Sequence, residues 1–307
     1  MKYLKLIRYK NLIMIALMQL ILLYGFLKLQ NIDLALAIWQ YYLLIVSTVC
    51  IAAGGYIINN IFDTNTDLDN KPNDVVVGKS VSESLAYNLY VTFTLIGVCI
   101  GFYLSNLVMK PSFLLFFIIP SALLYIYATS LKQIMIIGNV VIASLLSFSI
   151  LIIGIFMIIP ATDEANKKAM STVLSVLFDF AIIAFIINFI REIVKDLEDV
   201  IGDKNQDMQT LPVVFGTTRT SKLVFVLSFI PVLCILYYVY NYLFHLQYTT
   251  AYIFLFLVGP LLYFMIKIWS AETKNEFHHL SNVLKLVIFF GIISIAVIGI
   301  NMKYYVA

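Results

Sequence analysis

Charged residues are scarce in this chain. Asp, Glu, Lys and Arg make up 12% of its 307 residues and hydrophobic residues 62%, whereas about 25% of an ordinary soluble domain is charged. The composition excludes a soluble globular domain and predicts a polytopic membrane protein. Its basic residues are scattered between apolar segments and form no stripe, which excludes nucleic acid as a partner.

Cysteine and histidine are also few. Cys50, Cys99 and Cys234 all fall inside apolar segments, where an isolated thiol behaves as a small hydrophobic group. Neither they nor the three histidines show the spacing of metal ligands. The sequence therefore gives no support to a thiolate or imidazole metal site.

Long apolar runs, by contrast, are abundant. A membrane-spanning helix needs about 20 apolar residues, and periodicity places such runs at 11–29, 35–62, 84–106, 113–129, 133–159, 172–195, 222–243, 250–270 and 282–304. We therefore predict an all-α bundle of nine transmembrane helices around a central cavity, forming one domain over residues 1–307. Ser80 and Glu83 make a capping-box pattern that predicts the start of the third helix.

The basic residues predict the orientation of this bundle. With nine helices, fifteen of the twenty lie on the side of the N-terminus and five on the other. The positive-inside rule then places the N-terminus in the cytoplasm and the C-terminus outside. We expect an integral protein of a bacterial or archaeal cytoplasmic membrane.

The acidic residues are concentrated rather than spread. Eleven of the seventeen lie in residues 63–83 and 191–207, which the predicted topology puts on the cytoplasmic face. On a helix, three polar residues of the first window fall within an arc of about 80°: Asn59, Asp63 and Asp67. Four of the second fall within about 60°, with a fifth position about 20° further: Glu192, Asp196, Asp199 and Asp203, then Asn188. Like charges on one face repel each other, so each face predicts a cation, and Mg²⁺ beside a phosphate suits such oxygen ligands.

Two other interpretations are open at this point. Residues 191–203 also have an apolar counter-face, as the solvated end of an amphipathic helix would. Residues 63–69 resemble the start of an EF-hand loop, although Leu68 stands in place of its glycine and Asp74 in place of its glutamate.

Two motifs resemble the paired aspartate-rich motifs of UbiA-type intramembrane prenyltransferases: Asn59-x₃-Asp63-x₃-Asp67 with Asn70-Lys71-Pro72, and Lys195-Asp196-x₂-Asp199-x₂-Gly202-Asp203 with Thr210-Leu211-Pro212 and Gly216. Two shorter segments resemble others of that family: Arg8-Tyr9-Lys10-Asn11 near the start and Tyr127 to Lys132 after the fourth helix. The chain departs from the family at Asn60, where a second Asp is usual, at Tyr9, where Pro is usual, and after Pro72.

The resemblance implies Mg²⁺-dependent transfer of a polyprenyl group from a prenyl diphosphate to an acceptor in the lipid bilayer. Its implied metal ligands are Asn59, Asp63, Asp67, Asp196, Asp199 and Asp203. Its implied catalytic residues are Asp63, Asp67, Asp199, Asp203, Lys132 and Tyr127. Its implied substrate-binding residues are Arg8, Asn11, Arg191, Lys195, Asn188 and Lys71.

The acceptor is predicted from the second motif, which most resembles the branch of the family that prenylates geranylgeranylglyceryl phosphate. Aromatic quinone precursors such as 4-hydroxybenzoate are the alternative. A metal or anion transporter is the alternative of another class, but transporters place ionisable groups near the bilayer midplane. Asp179 is the one carboxylate predicted there, and its position about 180° round the helix from Asn188 leaves it outside the site.

Overall fold

The fold is a helical bundle. A computed structural model describes residues 2–30 and 32–305, the last two as backbone. Its α-helices are α1 (Lys2–Leu6), α2 (Tyr9–Gly25), α3 (Ile38–Phe62), α4 (Thr64–Asn70), α5 (Glu83–Leu107), α6 (Leu115–Thr129), α7 (Ile137–Met157), α8 (Lys167–Asn205), α9 (Leu211–Phe215), α10 (Thr217–Leu227), α11 (Phe229–Tyr238), α12 (Gln247–Ile253), α13 (Gly259–Ile268) and α14 (Lys274–Tyr305). Within the described residues the only β-pairing is an isolated bridge between Val77 and Val81.

The predicted number of spanning helices is confirmed for the described part of the chain. Nine helical segments there are long and apolar enough to cross a membrane: Tyr9–Leu29, Ile38–Phe62, Glu83–Leu107, Pro111–Thr129, Ile137–Ala161, Lys167–Asn205, Thr217–Leu243, Gln247–Ile268 and Lys274–Lys303. The main difference from the sequence prediction is the sixth segment. It was expected to end near residue 195, but α8 continues through the second acidic cluster because Ile193, Val194 and Leu197 are buried on its apolar face.

Small residues and buried hydrogen bonds hold the spanning helices together. Ser47 Oγ donates to Gly97 O at 2.7 Å, and a Cβ at Gly97 would stand 2.6 Å from Ile51. Tyr41 OH donates to Gln19 O at 2.5 Å. Such close approach and interhelical hydrogen bonding are typical of helices packed in lipid, where apolar burial gives little preference for one helix neighbour over the lipid.

A small apolar cluster fixes the end of α3 that carries the first motif. Its buried members come from α1, α3, the segment before α5, α5 and α6: Leu6, Ile57, Ile58, Ile61, Val76, Val77, Val81, Ala86 and Ala128. The segment between α4 and α5 is therefore packed against the bundle. This cluster holds the first acidic cluster in a defined place.

The capping-box prediction was wrong by two residues. Helix α5 begins at Glu83, and its N-cap is Ser82, whose Oγ accepts from Leu85 N at 3.4 Å. Ser80 is engaged in the preceding turn, where its Oγ donates to Val76 O at 3.2 Å.

Candidate active site

The first motif forms a stack of side chains four residues apart. Asp63 joins α3 to α4, and helical hydrogen bonding continues through it: Asp63 N donates to Asn59 O, and Asp67 N to Asp63 O, both at 2.8 Å. Asn59 Nδ2 donates to Asp63 Oδ2 at 2.5 Å. Because residues 64–70 form a helix, they lack the turn of a calcium loop, and the EF-hand interpretation is wrong.

The second motif lies on the last four turns of α8. Glu192, Glu198 and Asp203 are buried there, and Asp196 and Asp199 are half-buried. Buried carboxylates require partners, so this segment is not simply a solvated helix end. Two of the partners are neutral: Asn139 Nδ2 donates to Asp196 Oδ2 at 2.8 Å, and Thr210 Oγ1 donates to Asp203 Oδ2 at 3.2 Å.

Lys132 lies between the two acidic clusters. Its ammonium forms a salt bridge with Asp63. Burial alone would lower the pKa of Lys132, but Asp63, Asp203 and Asp67 together outweigh that effect and raise the pKa above its ordinary value. Carboxylates from both motifs therefore face one cationic centre.

The ionised form of Asp67 is disfavoured at this position. Burial and then the neighbouring Asp63 carboxylate raise its pKa above the ordinary value, although Arg8, Lys132 and Lys71 oppose them. Both causes disfavour the ionised form. Additional positive charge beside Asp67 would stabilise that form.

The segment after the first motif docks directly onto the second. Asn70 Nδ2 donates to Asp199 O at 2.9 Å, and Asn70 Oδ1 accepts from Gly202 N at 3.0 Å. Lys71 Nζ lies 2.8 Å from Asp199 and 3.2 Å from Glu198. Burial would lower the pKa of Lys71, but Asp199 and Glu198 together raise it.

A cavity of about 230 Å³ lies beside these clusters, among α2, α3, α6, α7, α8 and α14. Seven predicted site residues line it: Arg8, Asn11, Asn59, Tyr127, Asn188, Arg191 and Lys195. Asn59 and Tyr127 lie in the last turns of α3 and α6. Arg8 is the N-cap of α2, and the three residues of α8 lie within it. The rest of the wall is mainly apolar and includes Met18, Phe117, Leu146 and Ile292.

The other predicted site residues lie outside the cavity wall. They are Asp63, Asp67, Lys71, Lys132, Asp196, Asp199 and Asp203, which form the charged contacts described above. Asp179 is also outside this lining: it lines a smaller, adjoining cavity with Tyr238, and the two cavities share Met18 and Ile292.

Two charged residues on the cavity wall were not predicted as site residues. Glu192 lies 2.6 Å from Lys195 Nζ and 3.6 Å from Arg191. Lys285, on α14, donates to Asn11 Oδ1 at 3.0 Å. Lys285 falls within the ninth apolar run of the sequence, and an ionisable residue inside such a run is a signal of function.

The side chains of the two motifs suit a hard cation. They offer carboxylate and amide oxygens, the ligands that Mg²⁺ prefers, and Asn59 Oδ1 is buried without a hydrogen-bond partner. Within the described residues no three His, Cys, Asp or Glu side chains already converge on one point. The donor set therefore fits a divalent metal in its chemistry.

The sequence profile of the UbiA prenyltransferase family matches residues 14–300, which is nearly the whole chain. The chain belongs to the UbiA prenyltransferase family. It is therefore a prenyltransferase of the membrane-embedded kind, and the predicted family resemblance is confirmed.

Two curated relatives carry the same enzyme name. The digeranylgeranylglyceryl phosphate synthase of Methanosphaera stadtmanae is 27% identical over 265 residues, which cover 83% of this chain and 87% of that protein. The enzyme of the same name from Thermococcus sibiricus is 36% identical over 169 residues, about half of each chain.

Solved structures show the same fold. A structure described as digeranylgeranylglyceryl phosphate synthase in membranes matches with a TM-score of 0.65 and 22% identity over 97% of this chain and 98% of that one. A UbiA homologue from Archaeoglobus fulgidus bound to DMAPP and Mg²⁺ matches with a TM-score of 0.61 and 18% identity, over 97% of this chain and 100% of that one. Both confirm the predicted all-α membrane bundle.

Proposed function

We propose that this prenyltransferase moves a geranylgeranyl group from its diphosphate to geranylgeranylglyceryl phosphate, an ether-lipid precursor. The observation that carries the proposal is the cavity: an apolar chamber whose polar end holds four basic side chains and adjoins two acidic clusters. The common name of the curated relatives from Methanosphaera stadtmanae and Thermococcus sibiricus supports the same acceptor.

The donor fits the shape and polarity of the site. An isoprenoid chain is apolar and would occupy the part of the cavity lined by residues such as Phe117, Leu146 and Ile292. Its diphosphate would then lie at the polar end, beside the acidic clusters. The A. fulgidus homologue, which was solved with a short prenyl diphosphate, supports a donor of this class.

Mg²⁺ is the metal that we assign to the two motifs. Asn59, Asp63 and Asp67 would hold one ion, and Asp196, Asp199 and Asp203 would hold a second. Bound there, Mg²⁺ supplies positive charge that stabilises a departing diphosphate. The Mg²⁺ in the A. fulgidus structure supports this assignment.

The chain's own residues add positive charge and exclude water. Lys132, Arg191 and Lys195 would bind diphosphate oxygens, because charge-assisted hydrogen bonds to phosphate are strong. The allylic C–O bond breaks and the diphosphate leaves with the electron pair. The oxygen of a glycerol hydroxyl of the acceptor then bonds to that carbon, and the hydroxyl proton passes to the departing diphosphate.

Two tyrosines of the cavity wall would stabilise positive charge on the allylic group through their ring faces. Tyr56 and Tyr127 both line the chamber, and an aromatic face attracts a cation. The Arg8 guanidinium lies 5.6 Å from the centre of the Tyr56 ring, so this face already contacts one cation. Phe62 and Tyr125 pack edge to face on each other, with their ring centres 6.4 Å apart.

The active site faces the cytoplasm in this proposal, with the N-terminus on the same side. The support is the distribution of basic residues between the connecting segments. Both substrates would reach the polar end of the cavity from that side of the bilayer.

Mass spectrometry of the lipid product tests the proposal. Purified protein with Mg²⁺ and geranylgeranyl diphosphate would be offered geranylgeranylglyceryl phosphate, 4-hydroxybenzoate and a dihydroxynaphthoate separately. We expect the doubly prenylated glyceryl phosphate as the main product. Faster prenylation of an aromatic acid, with an inert glyceryl phosphate, would show that the acceptor assignment is wrong. Failure to release diphosphate with any acceptor would count against prenyl transfer itself.

A further inference from the structure

Lys285 is a charged side chain placed inside the reaction chamber by the last helix. It is half-buried and lies about three turns from the start of α14. It lines the same cavity as Arg8, Asn11 and Arg191. Its hydrogen-bond partner is Asn11 Oδ1 at 3.0 Å, a neutral group.

The positive charge around Lys285 is not balanced by carboxylates. In the part of the chain that the structure describes, neither Lys285 nor Arg8 has an Asp or Glu within 4.0 Å, and Arg191 reaches Glu192 only at 3.6 Å. Glu192 is shared with Lys195, which approaches it more closely at 2.6 Å. Lys285 and Arg8, which are half-buried and lack a carboxylate partner, would therefore be stabilised by an anion.

Lys285 lies apart from the carboxylates of the proposed metal centre, although Asn59, one of its proposed ligands, lines the same cavity. The carboxylates of Asp63, Asp67 and Asp199 lie outside the cavity lining. Two of them already face lysines, because Lys132 pairs with Asp63 and Lys71 with Asp199. The metal centre, together with Lys132, Arg191 and Lys195, accounts for the diphosphate in the proposed function, so Lys285 is left without an assigned ligand.

We propose that Lys285, with Asn11 beside it, forms a second anion site that binds the phosphate monoester of the lipid acceptor. The inference rests on the proposed function, because it requires an acceptor that carries a phosphate. The proposed role of Lys285, which lies on α14, is to hold the headgroup of the acceptor.

The chemistry of the acceptor makes such a site useful. The free hydroxyl of a glyceryl phosphate lies within three carbons of the phosphate. A phosphate held at Lys285 would therefore place that hydroxyl inside the chamber and not at its mouth. Holding a nucleophile close to the reacting carbon is a large part of the rate enhancement that an enzyme supplies.

Steady-state kinetics of Lys285→Met measure the role of this residue. The acceptor would be varied at saturating geranylgeranyl diphosphate and Mg²⁺, and the donor would be varied in a second series. We expect the KM for geranylgeranylglyceryl phosphate to rise about tenfold or more, as the loss of a hydrogen bond to a charged group requires. The KM for the diphosphate should stay within about twofold, because its charge is met at the metal centre.

Two matched variants accompany this measurement. Lys285→Arg keeps the positive charge and should retain most of the affinity for the acceptor. Lys267→Met removes an exposed lysine from α13, outside the cavity, and should behave as the wild type. An equal rise in both KM values for Lys285→Met would assign Lys285 to the diphosphate and overturn the proposal.

A binding experiment separates this site from the proposed function. Titration calorimetry with dodecyl phosphate in EDTA reports on a monophosphate site without turnover and without metal. We expect binding to the wild type that weakens about tenfold or more in Lys285→Met. If the wild type prenylates aromatic acids only, the proposed function is wrong, but that loss of phosphate binding would still support the site. Equal binding of dodecyl phosphate by both proteins would overturn the site whatever the acceptor.

Discussion

Asn70 and Gly202 lie against each other across the interface between the two acidic motifs. The amide oxygen of Asn70 accepts from Gly202 N at 3.0 Å, and a Cβ at position 202 would stand only 2.3 Å from Asn70 Nδ2. Asn70 also donates to Asp199 O. Asn70 of the first motif thus contacts the backbone of the second motif at Gly202, where a larger side chain would not fit.

Gly202→Ala should therefore reduce prenyl transfer strongly. The added methyl group must push Asn70 away, and a displacement of about 1 Å between groups that share a substrate can cost about 10²-fold in rate. The cost in folding free energy should be about 1–3 kcal/mol, as for other overpacked sites. Turnover and thermal unfolding of the purified variant check both values.

Gly291→Ala is the matched control for that change. Gly291 also lies in a helix, and a Cβ there would meet no atom within 4 Å. Because alanine favours a helix over glycine by about 1 kcal/mol, this variant should be active and no less stable than the wild type. Equal activity of the two alanine variants would show that the contact between Asn70 and Gly202 does not position the motifs.

Lys132→Met should make the fold depend on Mg²⁺. The side chain of Asp63 is 6% exposed and that of Lys132 is 21% exposed. Removal of the lysine leaves a buried carboxylate without its cation, which we expect to cost roughly 2–3 kcal/mol, less than a fully buried pair because Lys132 is partly in solvent. In EDTA the Tm of the variant should fall.

Added Mg²⁺ should then raise the Tm of Lys132→Met more than that of the wild type, because a ligand that binds only the folded state stabilises it. Lys267→Met again serves as the control. A Tm of Lys132→Met that responds to Mg²⁺ no more than the wild type would contradict a cation site beside Asp63.

Asp63→Ala and Asp199→Ala should each abolish turnover while the protein remains folded. Each removes a proposed metal ligand, and metal ions stabilise transition-state charge by several kcal/mol. Asp179→Asn should retain most activity, because Asp179 does not line the cavity that carries the predicted site residues. If Asp63→Ala loses no more than about threefold in activity, Asp63 is not a metal ligand, because removal of a ligand should cost much more.

The sequence was sufficient to predict the two motifs because their signal is local. Carboxylates are rare in this chain, and spacing by four places Asn59, Asp63 and Asp67 on one helical face whatever the tertiary packing. The structure keeps that helical hydrogen bonding through Asp63. The number of spanning segments was predictable for the same reason, since each is a long local run of apolar residues.

Tertiary contacts were not predictable in this way. Lys285 was counted only as a basic residue of the inner side, because its contact with Asn11 depends on how α14 is rotated against α2. The contact between Asn70 and Gly202 joins residues 132 positions apart. No spacing pattern in the sequence indicates which distant residue Lys285 or Asn70 contacts.

Removal of divalent metal should silence the enzyme. EDTA is expected to abolish product formation, and Mg²⁺ to restore it. Ca²⁺ should restore it poorly, because its bonds of about 2.3–2.6 Å and variable geometry suit a bridged diphosphate less well than the octahedral Mg²⁺ at about 2.0–2.1 Å. A preference for Ca²⁺ over Mg²⁺ in the same assay would contradict the assignment of the two motifs.

Cysteine labelling tests the orientation of the bundle. Ala165 and Asn73 are both exposed and lie in connecting segments, and the charge distribution puts them on opposite sides of the membrane. Each would be replaced by cysteine in a background that lacks Cys50, Cys99 and Cys234. A membrane-impermeant maleimide added to intact cells should label the cysteine at Ala165→Cys and leave Asn73→Cys unmodified until the cells are opened. Labelling of Asn73→Cys in intact cells would place the acidic clusters outside, where the substrates proposed here would not reach them from the cytoplasm.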